Sequence, residues 1–342
     1  MGKMDLDMSR LKPEGGHYVV VGFVLPYHLQ IPDDNYRVRV RIPEKELVVQ
    51  VVVEAREQVL PDEMKKPVDN YTKRYLSRVL VYIPVRASDP ATHGSLEAMQ
   101  SAVFDAYEQY RAVAAQALNR LITAYRHATC ECHTRAITSL EDFSLALLFN
   151  ENSPEDATSH FRAYSKEYRI TESILRIEID IPPRVLEELK AELLTDLQPS
   201  LVDDLLLNAY YYLEAGNLRL AIIEAETAFE VAVTQFLMNH YRDAPEKVQT
   251  IRRTNSLTNL LQSTAAQEAF TARAKGFKKS DAAYRSWEES VWKVRGELVH
   301  GRISTVPYVT AARALGTVEE TLEYLLERPR TPLRRYARYK LD

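Results

Sequence analysis

The sequence predicts an α+β N-terminal domain over residues 1–182 and an all-α helical bundle over 183–328, with a basic, aromatic tail at 329–342. Three observations predict it. Residues 17–85 hold four Val-rich runs separated by Pro, Asp and Asn. From Arg184 onward the apolar residues recur at helical spacing. Between the two patterns stands Pro182-Pro183, and a proline restricts both its own backbone and that of the residue before it.

The strands come first. His17–Leu25, Tyr36–Ile42, Leu47–Ala55 and Arg78–Val85 are rich in β-branched residues. Tyr36–Ile42 alternates strictly, with Val38, Val40 and Ile42 on one face and Arg37, Arg39 and Arg41 on the other. That second face is either a solvated sheet surface or a site for anions. Pro26, Pro32-Asp33-Asp34-Asn35, Pro43 and Pro61-Asp62 mark the turns. Ser95 to Ala128 then reads as one long helix, with Ser95 as N-cap and Glu97 in the first turn. Its apolar positions are Val103, Ala106, Tyr107, Tyr110, Ala114 and Leu118. Ile137 to Phe149 is mixed in character, and Asn150 to Asp156 reads as a loop. Ile170 to Ile181 alternates like a strand that could rejoin the N-terminal sheet.

The bundle follows. Helices are expected near 184–195, 200–215, 217–241, 255–271, 281–300 and 306–327. Gly216-Asn217 reads as a corner between two of them. In 217–241, Leu220, Ile223, Ala228, Val231 and Phe236 compose a broad apolar surface. Tyr210-Tyr211-Tyr212 cannot all face one way, which makes most of them packing residues.

Composition narrows the setting. With 342 residues, 27% charged and 46% hydrophobic, the chain has the makeup of a soluble globular protein, and its length suits two domains. A net charge of −4 gives no global attraction to nucleic acid, so any RNA contact needs a local basic patch. There is no apolar run of about 18 residues, so no membrane span is expected. The N-terminal residues carry no apolar core of the secretory kind. The only cysteines, Cys130 and Cys132, suit a reducing, cytoplasmic setting. With His133 they look like half of a zinc site, but no second cluster follows, and neither metal nor cofactor is expected.

One segment carries chemistry: Val291-Trp-Lys-Val-Arg295-Gly-Glu-Leu-Val-His300-Gly301. Upstream of it lies LVDDLLLNAYYYLEAGNLRLAIIEAETAFEVAVTQFL, Leu201 to Leu237. The order is a Tyr-rich helix, Ala-Gly-Asn, then a long helix whose apolar face embeds a Glu. A polar connector follows, then a helix bearing Trp287, Trp292, Arg295 and His300-Gly301, and a closing helix. This arrangement resembles the HEPN superfamily of helical bundles, whose signature is Arg, four to six residues, then His. The resemblance covers the C-terminal half only. Arg120 to His127 and Arg126 to His133 also fit the spacing, but they fall outside the bundle.

The resemblance implies a metal-independent endoribonuclease in a stress, toxin or antiviral defence setting. The ribose 2′-OH would attack the adjacent phosphorus, with His300 moving protons and Arg295 stabilising the charge that builds on phosphate. It also implies a homodimer through the bundle, because one His per chain cannot act as both base and acid. RNA is the expected partner, not DNA, since DNA has no 2′-OH. The family usually places a polar residue directly after the Arg, where this chain has Gly296. Glu297 could substitute in part. Glu226 and Glu230 share a face of the preceding long helix, and a buried carboxylate there could brace Arg295. Otherwise they are solvated charges, and Arg295 pairs with Glu297 or Glu289 on its own helix. Ideal helix geometry sets Arg295 and His300 about 140° apart. In the tail, Arg334, Arg335, Tyr336, Arg338 and Tyr339 combine phosphate-binding charge with base-stacking rings. The alternatives are a solvated tail or an arm on a partner subunit. The competing reading of the whole is a non-catalytic bundle that dimerises and binds RNA or protein.

Overall fold

A computed structural model describes residues 16–25, 29, 31–42, 45–59, 73–85, 101–102, 105–132, 134, 143–150, 161–163, 181–195, 200–254 and 256–331. The chain divides into two compact units: Met1–Ala128 with Thr134–Leu197, and Thr129–His133 with Gln198–Asp342.

The first unit is α+β. Its strands are β1 (Gly16–Leu25), β2 (Asp34–Ile42), β3 (Lys45–Val59), β4 (Lys73–Val85), β5 (Phe143–Asn150) and β6 (Phe161–Ala163). They form one antiparallel sheet in the order β2-β3-β4-β1-β5-β6. The register puts Tyr36, Val51, Val81 and Val21 in one row across four strands, all buried. Helix α1 (Tyr107–Thr129) shares a core with that row through Val113, Ala114, Ala117, Leu118, Leu121 and Tyr125. The opposite face of the inner strands is buried too, at Val20, Val52, Leu80 and Tyr82. Burial on both faces explains why β1 and β4 read as continuous apolar runs rather than alternating ones. Glu54 and Arg78 are directly opposed in register and pair at 3.5 Å inside this face.

Edge strand β2 keeps its alternation. Val38 and Val40 are buried, Arg37 and Arg41 are exposed, Arg39 is half-buried, and Arg41 pairs with Glu46 at 3.3 Å. Strand β5 falls in the stretch that reads as mixed in sequence. The expected helix start at Ser95 and Glu97 lies outside the described residues, as does all but Ile181 of the strand expected over Ile170–Ile181.

The unit boundary differs from the one expected. Helix α2 (Pro183–Leu193), which the sequence reading assigns to the bundle, belongs to the first unit. Val185, Leu189 and Leu193 are buried in the sheet core, and Lys190 reaches Asp34 of β2 at 3.0 Å. Arg120 of α1 donates to the carbonyls of Glu192 and Thr195 at the C-terminal end of α2. The proline pair therefore starts a helix of the first unit, and the division comes after Leu197. Pro at the first helical position is favoured because its missing N–H would find no partner there anyway.

The second unit is helical: α3 (Leu201–Glu214), α4 (Leu218–His240), α5 (Pro245–Arg253), α6 (Leu257–Gln262), α7 (Thr264–Ala272), α8 (Ala282–Trp287), a π turn (Glu288–Trp292), α9 (Lys293–Val299) and α10 (Tyr308–Leu326). Ser200 caps α3, accepting from the Asp203 amide, and Gly216 takes a left-handed backbone at the corner before α4. The expected helix over 255–271 is two helices, because Ser263 caps a new one, accepting from the Ala266 amide at 3.2 Å. Helix α5 was not expected; Pro245-Glu246 is its start signal.

Helix α4 is the bundle's centre and packs on α3, α9, α10 and the π turn. Its buried set is Ala221, Ile222, Ala225, Glu226, Ala228, Phe229, Ala232, Val233 and Leu237. Only Ala228 of the five apolar positions expected to define its surface is fully buried, and Leu220 is exposed. The true core face alternates small residues, Ala221, Ala225, Ala228 and Ala232, with large ones, Ile222, Phe229 and Leu237, while Ile223, Val231 and Phe236 sit at its margins. No helix of the described residues is long and apolar enough to cross a membrane.

Candidate functional site

Arg295 lies on α9, directly after the π turn. An i to i+5 hydrogen bond closes that turn, from the Lys293 amide to the Glu288 carbonyl. This geometry matters for the two tryptophans. Five residues span about 140° beyond a full turn in an α-helix, but a π turn brings such residues onto one face. Trp287 and Trp292 accordingly stack, with ring centroids 5.8 Å apart and 28° between planes. Trp287 is wholly buried and packs on Phe229 at 5.2 Å, Tyr284 at 5.6 Å and Phe277 at 6.1 Å. Aromatic pairs of this kind add roughly 0.5–1.5 kcal/mol each beyond their buried area.

The guanidinium of Arg295 stands 5.9 Å from the Trp292 ring centroid, and its Nε lies 3.5 Å from Glu226 Oε2 of α4. The carboxylate is 1% exposed and the arginine side chain 31%. So the inner edge of the guanidinium meets a buried acid, and part of the side chain reaches the surface. The terminal nitrogens of Arg295 make no hydrogen bond or ion pair among the described residues.

Glu226 pays for this place electrostatically. Neither of its oxygens accepts a hydrogen bond among the described residues, and burial pushes its carboxyl up to about 7. Arg295 pulls in the opposite direction and Glu230 adds to the rise, so desolvation outweighs the ion pair.

His300 sits at the C-terminal cap of α9, where its amide donates to the Gly296 carbonyl at 3.1 Å. Its side chain is exposed and has no hydrogen bond or ion pair among the described residues. Gly301 follows in a left-handed backbone (φ +68°), which glycine adopts without steric penalty. No hydrogen bond joins Arg295 and His300 within the chain. Arg295 turns towards α4, while His300 stands at the helix end.

Of the expected supporting residues, Glu226 meets Arg295. Glu230 is exposed and acts on the site only through its charge on Glu226. Glu297 is exposed as well, and it is the carbonyl of Glu297 that serves the turn, accepting from the Arg302 amide at 2.8 Å. Neither it nor Glu289 pairs with Arg295, because the inward turn of the guanidinium takes it away from its own helix's outer face. The residues that sequence reasoning left without a role are Trp287 and Trp292. Their spacing of five was the available signal, but it has meaning only if the helix is a π turn at that point.

A second polar cluster fixes the end of the chain's described part. Glu319 of α10 is buried and accepts from Tyr210 Oη at 2.6 Å and from the Thr331 amide at 2.8 Å. Burial raises the Tyr210 hydroxyl pKa, and the Glu319 charge adds to the rise. Arg328 pairs with Asp203 of α3, and Arg330 with Glu323 at 2.6 Å and Glu320 at 3.3 Å. Arg328, at the end of the bundle, and Arg330, the first of the four tail arginines, are thus bound to the bundle's own carboxylates. Arg334, Arg335, Tyr336, Arg338 and Tyr339 lie outside the described residues.

Tyr211 and Tyr212 pack edge to face at 5.6 Å. Cys130 and Cys132 are buried against Leu207, with Tyr210 and Tyr211 beside them, while His133 lies outside the described residues. Among the described residues, no group of three or more His, Cys, Asp or Glu could hold a metal ion. In comparisons with family models, with curated proteins and with solved structures, this chain matches none.

Proposed function

We propose that the protein is a metal-independent endoribonuclease of the HEPN type, acting as a cytoplasmic homodimer through its C-terminal bundle. The observation that carries this reading is the setting of Arg295. A buried carboxylate lies against one edge of the guanidinium, whose terminal nitrogens have no partner among the described residues, on the same helix that ends in an exposed His300. A gripped guanidinium is a preorganised cation, and a fixed charge stabilises a developing phosphorane better than a mobile one. An exposed imidazole is accessible to a ribose hydroxyl or a 5′-oxygen.

In this mechanism the 2′-OH gives its proton to one His300 imidazole while its oxygen attacks phosphorus. The bond from phosphorus to the 5′-oxygen breaks, and a second, protonated His300 supplies the proton to the leaving oxygen. Arg295 holds the non-bridging oxygens throughout. The products are a 2′,3′-cyclic phosphate and a free 5′-hydroxyl. Two histidines per site require two chains. Val299, Tyr308 and Val309 support that arrangement, as exposed apolar side chains on either side of the loop that begins at His300.

The experiment is cleavage of mixed RNAs by purified protein in EDTA, with end-group analysis. The expected result is cleavage that leaves cyclic phosphates and is lost in His300→Ala. Dependence on Mg²⁺, or full activity in His300→Ala, would overturn the mechanism.

One observation favours the second reading, a non-catalytic bundle that dimerises and binds RNA or protein. A Cβ added at Gly296 would meet nothing within 4 Å. Packing does not require a glycine after Arg295, so the fold leaves room for the polar side chain that the resembled family usually carries there, and this chain does without it. RNA binding without cleavage by the wild type would support this reading.

A further inference from the structure

We propose that Trp292 is a positioning residue for Arg295, and that the π turn exists to put its indole there. The functional meaning of this inference rests on Arg295 being the phosphate clamp; its geometry does not.

Three observations combine. First, the guanidinium is bounded on two sides: Glu226 Oε2 lies 3.5 Å from Nε, and the Trp292 ring centroid 5.9 Å from the guanidinium carbon. A cation within about 6 Å of an indole centroid is attracted to the ring's negative face, and Trp provides the strongest such face. Second, Trp292 is itself fixed from behind. It stacks on Trp287, which is wholly buried in the aromatic core with Phe229, Phe277 and Tyr284. Third, only the π turn makes this stacking compatible with one helix. In an unbroken α-helix Trp292 would point about 140° from Trp287, and Arg295, eight residues on, about 80° from it. The extra residue taken up by the π turn returns both to the core side.

The indole has a task that Glu226 cannot perform alone. A long arginine side chain has several rotamers, and a single 3.5 Å ion pair with poor hydrogen-bond geometry restrains only one edge. A ring face beside the fork limits where the fork can move on that side. The two contacts together set both the position and the orientation in which phosphate would be met. Replacing the indole by the aliphatic side chain of Leu removes the ring face from beside the guanidinium while keeping an apolar group at the position.

The chain contains only two tryptophans, and both belong to this stack. The test compares full-length wild type, Arg295→Ala, Trp292→Leu and Trp292→Phe, reading the Glu226 carboxyl titration by carbon-detected NMR. Arg295 and Glu230 are the charged groups that act on Glu226. Arg295→Ala removes the attractive one, so the Glu226 midpoint rises. The expected result is that Trp292→Leu moves the midpoint up towards the Arg295→Ala value, while Trp292→Phe stays near wild type. A purely structural role for Trp292 lowers thermal stability but leaves the Glu226 midpoint where it is, and that result overturns the proposal. So does an Arg295→Ala midpoint equal to wild type, which would mean the guanidinium is not held at Glu226. A second measurement needs no variant to fold: in the wild type the Arg295 side-chain NH signals should carry an upfield ring-current shift, and random-coil positions for them would refute the stacking. None of these readouts requires cleavage, so they stand apart from the outcome of the nuclease assay.

Discussion

Replacing Glu226 by Gln should make the protein more stable at pH 8 and change it much less at pH 5. The carboxyl is raised from 4.5 to about 7 in the folded chain. Between those values the native state binds more protons than the unfolded state, so stability falls as pH rises through this window and is lowest above pH 7. The shift is worth roughly 3 kcal/mol at full ionisation. Because Arg295 already lowers this pKa, the figure is net of the ion pair; it measures how far burial without hydrogen bonds exceeds the attraction. Gln keeps the shape and removes the charge, and Arg295, part exposed, can be solvated where it stands. A domain of about 150–250 residues gains roughly 2–4 °C in Tm per kcal/mol. About three quarters of the effect falls between pH 5 and pH 8, so the stability gap between Glu226→Gln and wild type should open by roughly 5–10 °C across that range. Calorimetry of both proteins across that range measures it. Parallel pH dependence would show that Glu226 titrates normally. A variant less stable than wild type at pH 8 would show that the Arg295 attraction exceeds desolvation, reversing the balance argued above.

Other outcomes follow from the same geometry. Arg295→Ala and His300→Ala should each lower RNA cleavage on the order of 10²-fold or more while preserving the helical circular dichroism spectrum, because one removes charge and the other proton transfer from the transition state. Gly296→Asn should fold without clash, gain a few tenths of a kcal/mol in helix stability, and raise cleavage if the missing polar residue limits it; unchanged cleavage would assign that position no chemical part. A fragment beginning at Gln198 should be at least as soluble as one beginning at Arg184, since α2 alone would expose Val185, Leu189 and Leu193; aggregation of the shorter fragment only would return α2 to the bundle. Truncation after Thr331 should reduce the salt dependence of RNA binding, with a slope change of about 0.7 per lost phosphate contact. Truncation after Glu327 should also lower Tm, because it removes Arg328 from Asp203 and Arg330 from Glu323.

Much of the secondary structure was legible because its causes are local. Alternation in Tyr36–Ile42 reports a half-exposed edge strand, and the structure keeps Val38 and Val40 inside and Arg37 and Arg41 outside. Ser200 and Gly216 mark helix ends through backbone chemistry that acts within a few residues. The motif residues could be named, and Glu226 could be nominated as a brace, since a lone Glu on an apolar helix face needs a partner. Sequence could not decide among Glu226, Glu230, Glu289 and Glu297. That choice belongs to the packing of α4 against α9, which sets which carboxylate lies inside. The unit to which α2 belongs was equally hidden, because an amphipathic helix shows that it has an apolar face but not what that face covers. The π turn was hidden for another reason. Its one-residue slip of hydrogen bonding has no compositional signal, and it shows only when Trp287, Trp292 and Arg295 must all meet a core built by other helices. Sequence alone thus determined the elements and the chemical groups; tertiary structure decided which groups meet, because burial and distance depend on residues far apart in the chain.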